Sequence, residues 1–479
     1  MENLKLNKKN TFKIAFAFFG ILMLWQAYNF YCPLILRGLL QGKVDNYNFI
    51  IGIIMALDNV IAIIIMPIVG RLSDRTHSKW GKRMPYIVVG MILTAIVFPL
   101  IAVFFYFNSF LGVIITMLLF LIIMQAYRSP AVAFMPDVTP KPLRSTANGI
   151  INLVGYFGAV FVAILGMIPF LKIKGIDDYD QAAALPQAFI DGMHNKVLIP
   201  FIICTVILVG VLVFLVLTVK ENKMLKETEA DVIKGEELSE TEEVINADNK
   251  LSSLDKKNFI FIIVAIFFWF MSFNSFETFG SSYSVFVLGT SGVMSMMTII
   301  LTVVSILSFI AFSTLSNKIG RKFTIVIGLI LLIAALASIG IVSITVDFSK
   351  YGGKIGAWSI FYYAMAAIMG CGWALININS FPMIVEFSNR DNIGKFTGYY
   401  YASSMLAQSI TPILIGIIMD DPFNKFGNMG LKLLFVYASI MMVISFIIFL
   451  FVKEKISLKE RKARQTEKKS ALDKLGDLD

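Results

Sequence analysis

Three ionisable side chains lie in the middle of long apolar stretches of this sequence: Asp58, Arg128 and Glu277. A charge at the centre of an apolar helix costs about 2.5–3.5 kcal/mol on membrane-insertion scales, so such residues are functional candidates by default. Two acids and one base allow one ion pair and leave one carboxyl group over. Because apolar surroundings favour the uncharged form of a carboxyl group, that group can gain and lose a proton. Asp58 and Glu277 are therefore both proton-coupling candidates.

The alternative for two of these residues is a permanent Asp58–Arg128 ion pair that only joins two helices, since such pairs can be purely structural. Arg128 also has the chemistry of a ligand-binding residue. Its planar guanidinium can donate two parallel hydrogen bonds to adjacent hydroxyl groups.

Amide and aromatic side chains recur at helical spacing in other apolar stretches. Amides and acids suit the edges of a hydroxyl-rich ligand, and an aromatic ring suits its C–H face. The candidate ligand-binding residues on such faces are Trp25 and Asn29, Asn152 and Tyr156, Asn274 near Glu277, Trp373 and Asn377, and Gln408. The alternative for each is a hydrogen bond between helices. Their recurrence in both halves of the sequence favours a binding site.

The composition indicates that these stretches cross a membrane. Of 479 residues, 57% are hydrophobic and 15% are charged, whereas soluble proteins are about 45–50% apolar and about 25% charged. This excludes a cytosolic enzyme, a disordered chain and a nucleic-acid binder. Three widely spaced cysteines and two distant histidines argue against a disulfide scaffold and a metal centre.

A membrane-spanning helix needs about 20 mostly apolar residues, and this rule predicts an all-α protein with twelve spans in two pseudo-symmetric six-helix bundles. The predicted spans are 12–36, 48–70, 86–107, 110–135, 147–170, 197–219, 258–288, 293–315, 324–346, 357–385, 396–419 and 433–452. Most Lys and Arg residues fall in segments that share one side with both termini, so we expect cytoplasmic termini in a plasma membrane. The predicted domains are a bundle over 1–219, a charged solvated linker over 220–257, a bundle over 258–452 and a basic cytoplasmic tail over 453–479.

A basic turn recurs after the second span of each half. The first copy contains Gly70, Asp74, Arg75, Gly81 and Arg83, and the second contains Asn317, Gly320 and Arg321. Internal repeats of this kind occur in secondary transporters, whose substrate site lies near mid-membrane between the halves.

These turns resemble the signature loop of the major facilitator superfamily. The elongated first copy, from Ser73 to Tyr86, is similar to that of sucrose:proton symporters and of glycoside–pentoside–hexuronide:cation symporters. Further similarities extend the resemblance over most of residues 12–452: Arg128 with Pro136-Asp137, Arg144 to Gly149, Gly372-Trp373 to Pro382, and Gly398-Tyr399-Tyr400.

The resemblance implies roles for two residues. Asp74 would latch the cytoplasmic ends of the halves in the outward-open state, where the start of span 11 near Phe396 offers free N–H groups and a favourable dipole. Arg128 would bind substrate. Sodium-coupled melibiose carriers have two Asp residues late in span 2, and those positions fall on Ala62 and Met66 here, so protons are favoured over sodium as the coupling ion.

We therefore expect a monomeric carrier in the lipid bilayer that imports a glycoside, such as the disaccharides sucrose or maltose, with protons by alternating access. No cofactor and no nucleic-acid partner is expected. A drug:proton antiporter would instead have a more aromatic cavity with fewer amides, and a transporter-like sensor or scaffold would move nothing. No phosphate-binding loop, nucleophile–base pair or metal-ligand set indicates an enzyme.

Overall fold

A computed structural model of the chain describes residues 4, 6–167, 186–244, 253–290, 292–312, 319–351, 354–385, 387, 393–420 and 429–453. Twelve of its helices are long and apolar enough to cross a membrane, which confirms the predicted all-α class and span count. We label them α1 (Lys8–Leu40), α2 (Tyr47–Asp74), α3 (Met84–Tyr106), α4 (Phe110–Asp137), α5 (Arg144–Met167), α6 (Pro186–Thr218), α7 (Ser253–Phe286), α8 (Gly292–Phe312), α9 (Arg321–Thr345), α10 (Ala357–Val385), α11 (Ile393–Met419) and α12 (Leu434–Leu450).

Several helices extend beyond the apolar runs from which they were predicted. Backbone hydrogen bonding continues into polar residues, so apolar length underestimates helix length. As a result α1 includes Arg37, which the predicted first span excluded, and α2 ends at Asp74.

The twelve helices form two groups that meet along α1, α2 and α5 on one side and α7, α8 and α11 on the other. Within the first group α1 packs on α5 and α3 on α4, and within the second α7 packs on α12 and α9 on α10. We call the end where α1 begins and α12 ends the termini end, and the other the far end. The predicted domain boundaries remain predictions, and residues 454–479 of the predicted tail lie outside the described residues.

Most of the predicted linker is a helix, Glu221–Val244, which we call the linker helix. The last five residues of the predicted linker, 253–257, belong to α7. This linker helix begins against the first group. The Glu221 carboxylate accepts hydrogen bonds from the backbone N–H groups of Lys82, Arg83 and Met84 at 2.8–3.0 Å. These are donors at the start of α3 that have no partner within that helix. Gly81, with φ of +108°, lies so close to Glu221 that a Cβ there would overlap it.

Replacing Glu221 by Ala removes the acceptor of three N–H groups, of which those of Arg83 and Met84 are buried and that of Lys82 is partly buried. We expect the free energy of unfolding to fall by about 1–3 kcal/mol, measured as a lower thermal midpoint in detergent. Glu227→Ala in the same helix is the control, because the Glu227 side chain is 46% exposed and lies 3.7 Å from the ammonium group of Lys223. That variant should change stability by less than about 1 kcal/mol. Equal effects of the two variants would contradict a docked linker helix.

Candidate functional site

A cavity of about 380 Å³ lies where the two groups of helices meet, with walls from α1, α5, α7, α8 and α10. A volume of this size is typical of small-molecule sites. Its lining residues are Gln26, Asn29, Phe30, Tyr156, Ala159, Phe270, Phe273, Phe276, Glu277, Ser281, Met294, Met297, Thr298, Leu301, Thr302, Ser305, Ile306, Phe309, Met369, Trp373 and Asn377.

The polar part of the cavity centres on Glu277. Its Oε1 lies 3.5 Å from Nδ2 of Asn29, which is 248 residues away in the other group of helices. Gln26 precedes Asn29 by three positions on α1, so one face of α1 turns both amides toward the cavity. Tyr156 on α5 also lines the cavity and is 40% exposed. Glu277 thus connects the two groups of helices through the amide of Asn29.

The aromatic part of the cavity is formed by α7 and α10. The rings of Phe273 and Trp373 stack with centroids 3.9 Å apart and an interplanar angle of 16°. Asn377, one turn along α10, donates to the carbonyl oxygen of Trp373 at 2.8 Å, which leaves its own side-chain oxygen available as an acceptor. A flat apolar face therefore adjoins amide and carboxyl groups.

Asp58 and Arg128 lie in a second cluster within the first group of helices. Asp58 is buried and accepts a hydrogen bond from Nε2 of Gln125 at 2.9 Å. The guanidinium of Arg128 lies 4.6 Å from the ring centroid of Trp25, a cation–π contact. A direct Asp58–Arg128 bridge is not among the ion pairs formed by the described residues; this cluster joins α2 to α4 through Gln125 instead.

The predicted site residues therefore divide into three sets. The cavity brings together Asn29, Tyr156, Glu277, Trp373 and Asn377. The second cluster contains Trp25, Asp58 and Arg128. Outside the cavity lining are Asn152, Asn274 and Gln408, of which Asn274 is buried and accepts from Thr278 at 3.5 Å.

The two groups of helices touch at the far end, whereas glycines near the termini end have open space beside them. At the far end the backbones of α2 and α11 meet, so that a Cβ on Gly416 would lie 2.6 Å from the carbonyl oxygen of Asn48. At the termini end a Cβ on Gly149 or Gly398 would meet nothing within 4 Å. From this contrast we infer that the cavity opens toward the termini end in this conformation.

The predicted gate motif lies at that open end and is held within the first group of helices. Arg83 is buried and pairs with Asp74, while its Nε lies 2.8 Å from Oδ2 of Asp137. Burial alone would lower the pKa of Arg83, but its hydrogen bonds to Asp137 and Asp74 raise it above the usual value. Asp74 is 59% exposed. It makes its ion pair inside its own half in this conformation, so its role as a latch to α11 stays a prediction.

The two copies of the motif share a backbone feature. Gly81 and Gly320 have φ values of +108° and +92°, and each lies one to three residues before the next helix. Only glycine adopts this conformation readily, so both copies require it. In the first copy Gly70 packs against Ser129, and Arg75 is the C-cap residue that directly follows α2. In the second copy Arg321 begins α9, and Asn317 lies outside the described residues.

A family model described as the Major Facilitator Superfamily matches residues 2–163, 192–412 and 355–478. The chain belongs to the major facilitator superfamily. It is therefore a multi-pass membrane protein and a secondary transporter rather than an enzyme.

Solved structures share the fold of this superfamily member. A bacterial homologue of the human lysosomal transporter Spinster, in an inward-facing and occupied conformation, gives a TM-score of 0.63 at 13% identity and covers 95% of this chain and 98% of that one. The inward-open xylose transporter XylE of E. coli gives 0.64 at 14% identity, with 94% and 98% covered. A lactose permease of Lactobacillus helveticus is 36% identical over 58 residues, which are 12% of this chain and only 9% of that protein.

Two polar residues at the interface of the transporter's halves were missed from the sequence. Gln26 lines the cavity, and its spacing of three from Asn29 could have identified it. Arg37 is 1% exposed, and its guanidinium carbon lies 4.1 Å from the ring centroid of Phe286 in the other half. It lies just beyond the apolar run, where a cation is usually read as a solvated anchor.

A cysteine placed at Thr302 tests whether the cavity opens to water at the termini end. In a background without Cys32, Cys204 and Cys371, we expect Thr302→Cys to react with a charged thiol reagent in detergent. Ser272→Cys on α7 is the control and should stay unlabelled, because Ser272 is fully buried. Labelling would be followed by mass spectrometry. An inert Thr302→Cys beside a folded control would contradict an open cavity.

Proposed function

We propose that this transporter imports a glycoside of about disaccharide size together with protons, by alternating access between the two halves. The observation that carries the proposal is the position of Glu277, an ionisable group in the cavity within hydrogen-bonding reach of Asn29 from the opposite half. Charge at this point links the protonation state of the protein to the relative position of its halves.

The lining of the cavity suits a sugar. Hydroxyl groups need donors and acceptors at short range, which Gln26, Asn29 and Asn377 can provide. The pair of Phe273 and Trp373 offers a flat face to ring C–H groups. The partial similarity to a lactose permease and the fold shared with a D-xylose–proton symporter are consistent with this substrate class.

Glu277 is proposed as the group that exchanges the proton. When the cavity closes around substrate, a carboxylate there would lose water, and protonation removes that cost. Asp58 is buried away from the cavity and already bonded to Gln125, so it is proposed to order Arg128 and Trp25 instead. Arg128 would then contact substrate only after the halves move relative to one another.

The proposal includes a plasma-membrane location with both termini in the cytoplasm, which the basic residues near the termini end support. The open cavity would then face the cytoplasm in this conformation. Asp74, now paired with Arg83, would reach the start of α11 when the termini end closes.

The direct test is transport by purified protein in liposomes that contain a pH-sensitive dye. A panel of α- and β-linked glucosides and galactosides would be added outside with potassium or sodium as the only metal cation. We expect at least one glycoside to acidify the interior in both salts. If no glycoside moves protons, or if uptake requires sodium, the proposal is wrong.

Glu277→Gln separates coupling from binding. The amide keeps the size and hydrogen-bonding capacity of the protonated carboxyl group but cannot release a proton. We expect exchange of labelled sugar at equal concentrations to persist while uphill accumulation driven by a pH gradient is lost.

Asp58→Asn is the matched variant, since it removes the other buried acid, and it should retain uphill accumulation. Accumulation that survives in Glu277→Gln and disappears in Asp58→Asn would transfer the coupling role to Asp58.

A drug:proton antiporter is the second candidate, because the cavity is rich in aromatic side chains. These are Phe30, Tyr156, Phe270, Phe273, Phe276, Phe309 and Trp373. Such a lining also suits an apolar cation next to Glu277. The same liposomes distinguish the two functions, because an antiporter would alkalinise the interior when an aromatic cation is added outside.

A further inference from the structure

The start of α2 is capped by a residue from the other half of the protein. The N-cap residue Asn46 makes no side-chain capping bond, although the first N–H groups of a helix need acceptors. Asp420, which directly follows α11, supplies them. Its Oδ1 accepts from the backbone N–H of Asn48 at 3.0 Å, and its Oδ2 accepts from that of Phe49 at 2.6 Å.

This contact is buried and charged. Asp420 is 3% exposed, and a carboxylate taken out of water needs compensating partners. It has two N–H donors and the positive end of the α2 dipole, and Arg37 acts on it electrostatically. Arg37 itself reaches from α1 to Phe286 on α7. Opposite charges at the far end thus each bind a partner in the opposite half.

The backbones around Asp420 are as close as helices can come. A Cβ on Gly416 would lie 2.6 Å from the carbonyl oxygen of Asn48, and one on Gly52 would overlap that of Pro412. Asp420 therefore keeps its two donors only while α2 and α11 remain in backbone contact. Any separation of the halves at the far end breaks both hydrogen bonds together.

We propose that Asp420 is the latch that holds the far end closed in this conformation, and that its release from the start of α2 accompanies opening of that end. The arrangement mirrors the one expected of Asp74 at the other end of the same two helices. Asp74 ends α2, and the resemblance implies that it caps the start of α11. Asp420 directly follows α11 and caps the start of α2. The latch does not depend on which solute the protein carries.

The test measures distances between spin labels and needs no substrate. Nitroxides would be placed at Lys43 and Lys354, exposed positions at the far end of the two halves, after replacement of the three native cysteines. A second pair at Lys79 and Phe323 reports on the termini end. Pulsed electron resonance in lipid nanodiscs then gives the populations of the open and closed forms.

Asp420→Asn should shift the population about tenfold toward a longer 43–354 distance, because the neutral amide has one acceptor oxygen where the carboxylate has two and carries no charge; tenfold corresponds to about 1.4 kcal/mol. The 79–323 distance should shorten in the same sample. Asp45→Asn removes an exposed acid from the same end and should match the parent. Gly416→Ala should shift the distances in the same direction as Asp420→Asn, because its methyl group wedges α2 from α11.

A parent-like distribution for Asp420→Asn, or an equal shift for Asp45→Asn, overturns the latch. Should Asp420→Asn fail to yield folded protein, Asp420→Ser is measured in its place with the same two readings, since it keeps an acceptor and removes the charge. Failure of this test leaves the transport assay unaffected, because no sugar or proton gradient enters it.

Discussion

The proposed transport cycle depends on one carboxyl group in the cavity between the two groups of helices, that of Glu277. Glu277 lies among apolar and aromatic side chains, where charge is stable only with donors or water close by. Asn29 provides a donor from one half and the open cavity provides space for water. We propose that movement of the halves changes the number of donors and water molecules around this carboxyl group, so that its protonation depends on the conformation.

The two ends of the molecule hold their charges in different ways. At the far end Asp420 and Arg37 contact groups across the interface. At the termini end Arg83 forms ion pairs with Asp74 and Asp137 within one half. Glu221 accepts a hydrogen bond from the backbone N–H of Arg83. Charges that bridge the halves at one end and stay within a half at the other favour the conformation open toward the termini.

The sequence predicted what depends on local spacing and missed what depends on tertiary contacts. Apolar length predicted twelve helices, and the repeated turn predicted two related halves, whose Gly81 and Gly320 share an unusual backbone conformation. Glu277 was predicted because a charge is costly in an apolar helix, and Asn377 because it shares a helical face with Trp373. The α2 cap could not be foreseen, since Asn48 and Asp420 are 372 positions apart. The position of Arg128 outside the cavity lining also could not be predicted, because it depends on the tertiary contact between its guanidinium and Trp25.

We propose that the protonation of Glu277 depends on whether the cavity is occupied. The most direct measurement is proton uptake by purified protein in weakly buffered solution when a saturating transported glycoside is added. We expect proton uptake by the parent protein and none by Glu277→Gln under conditions where both bind the glycoside. Equal uptake by the two proteins, or none by either, would contradict it.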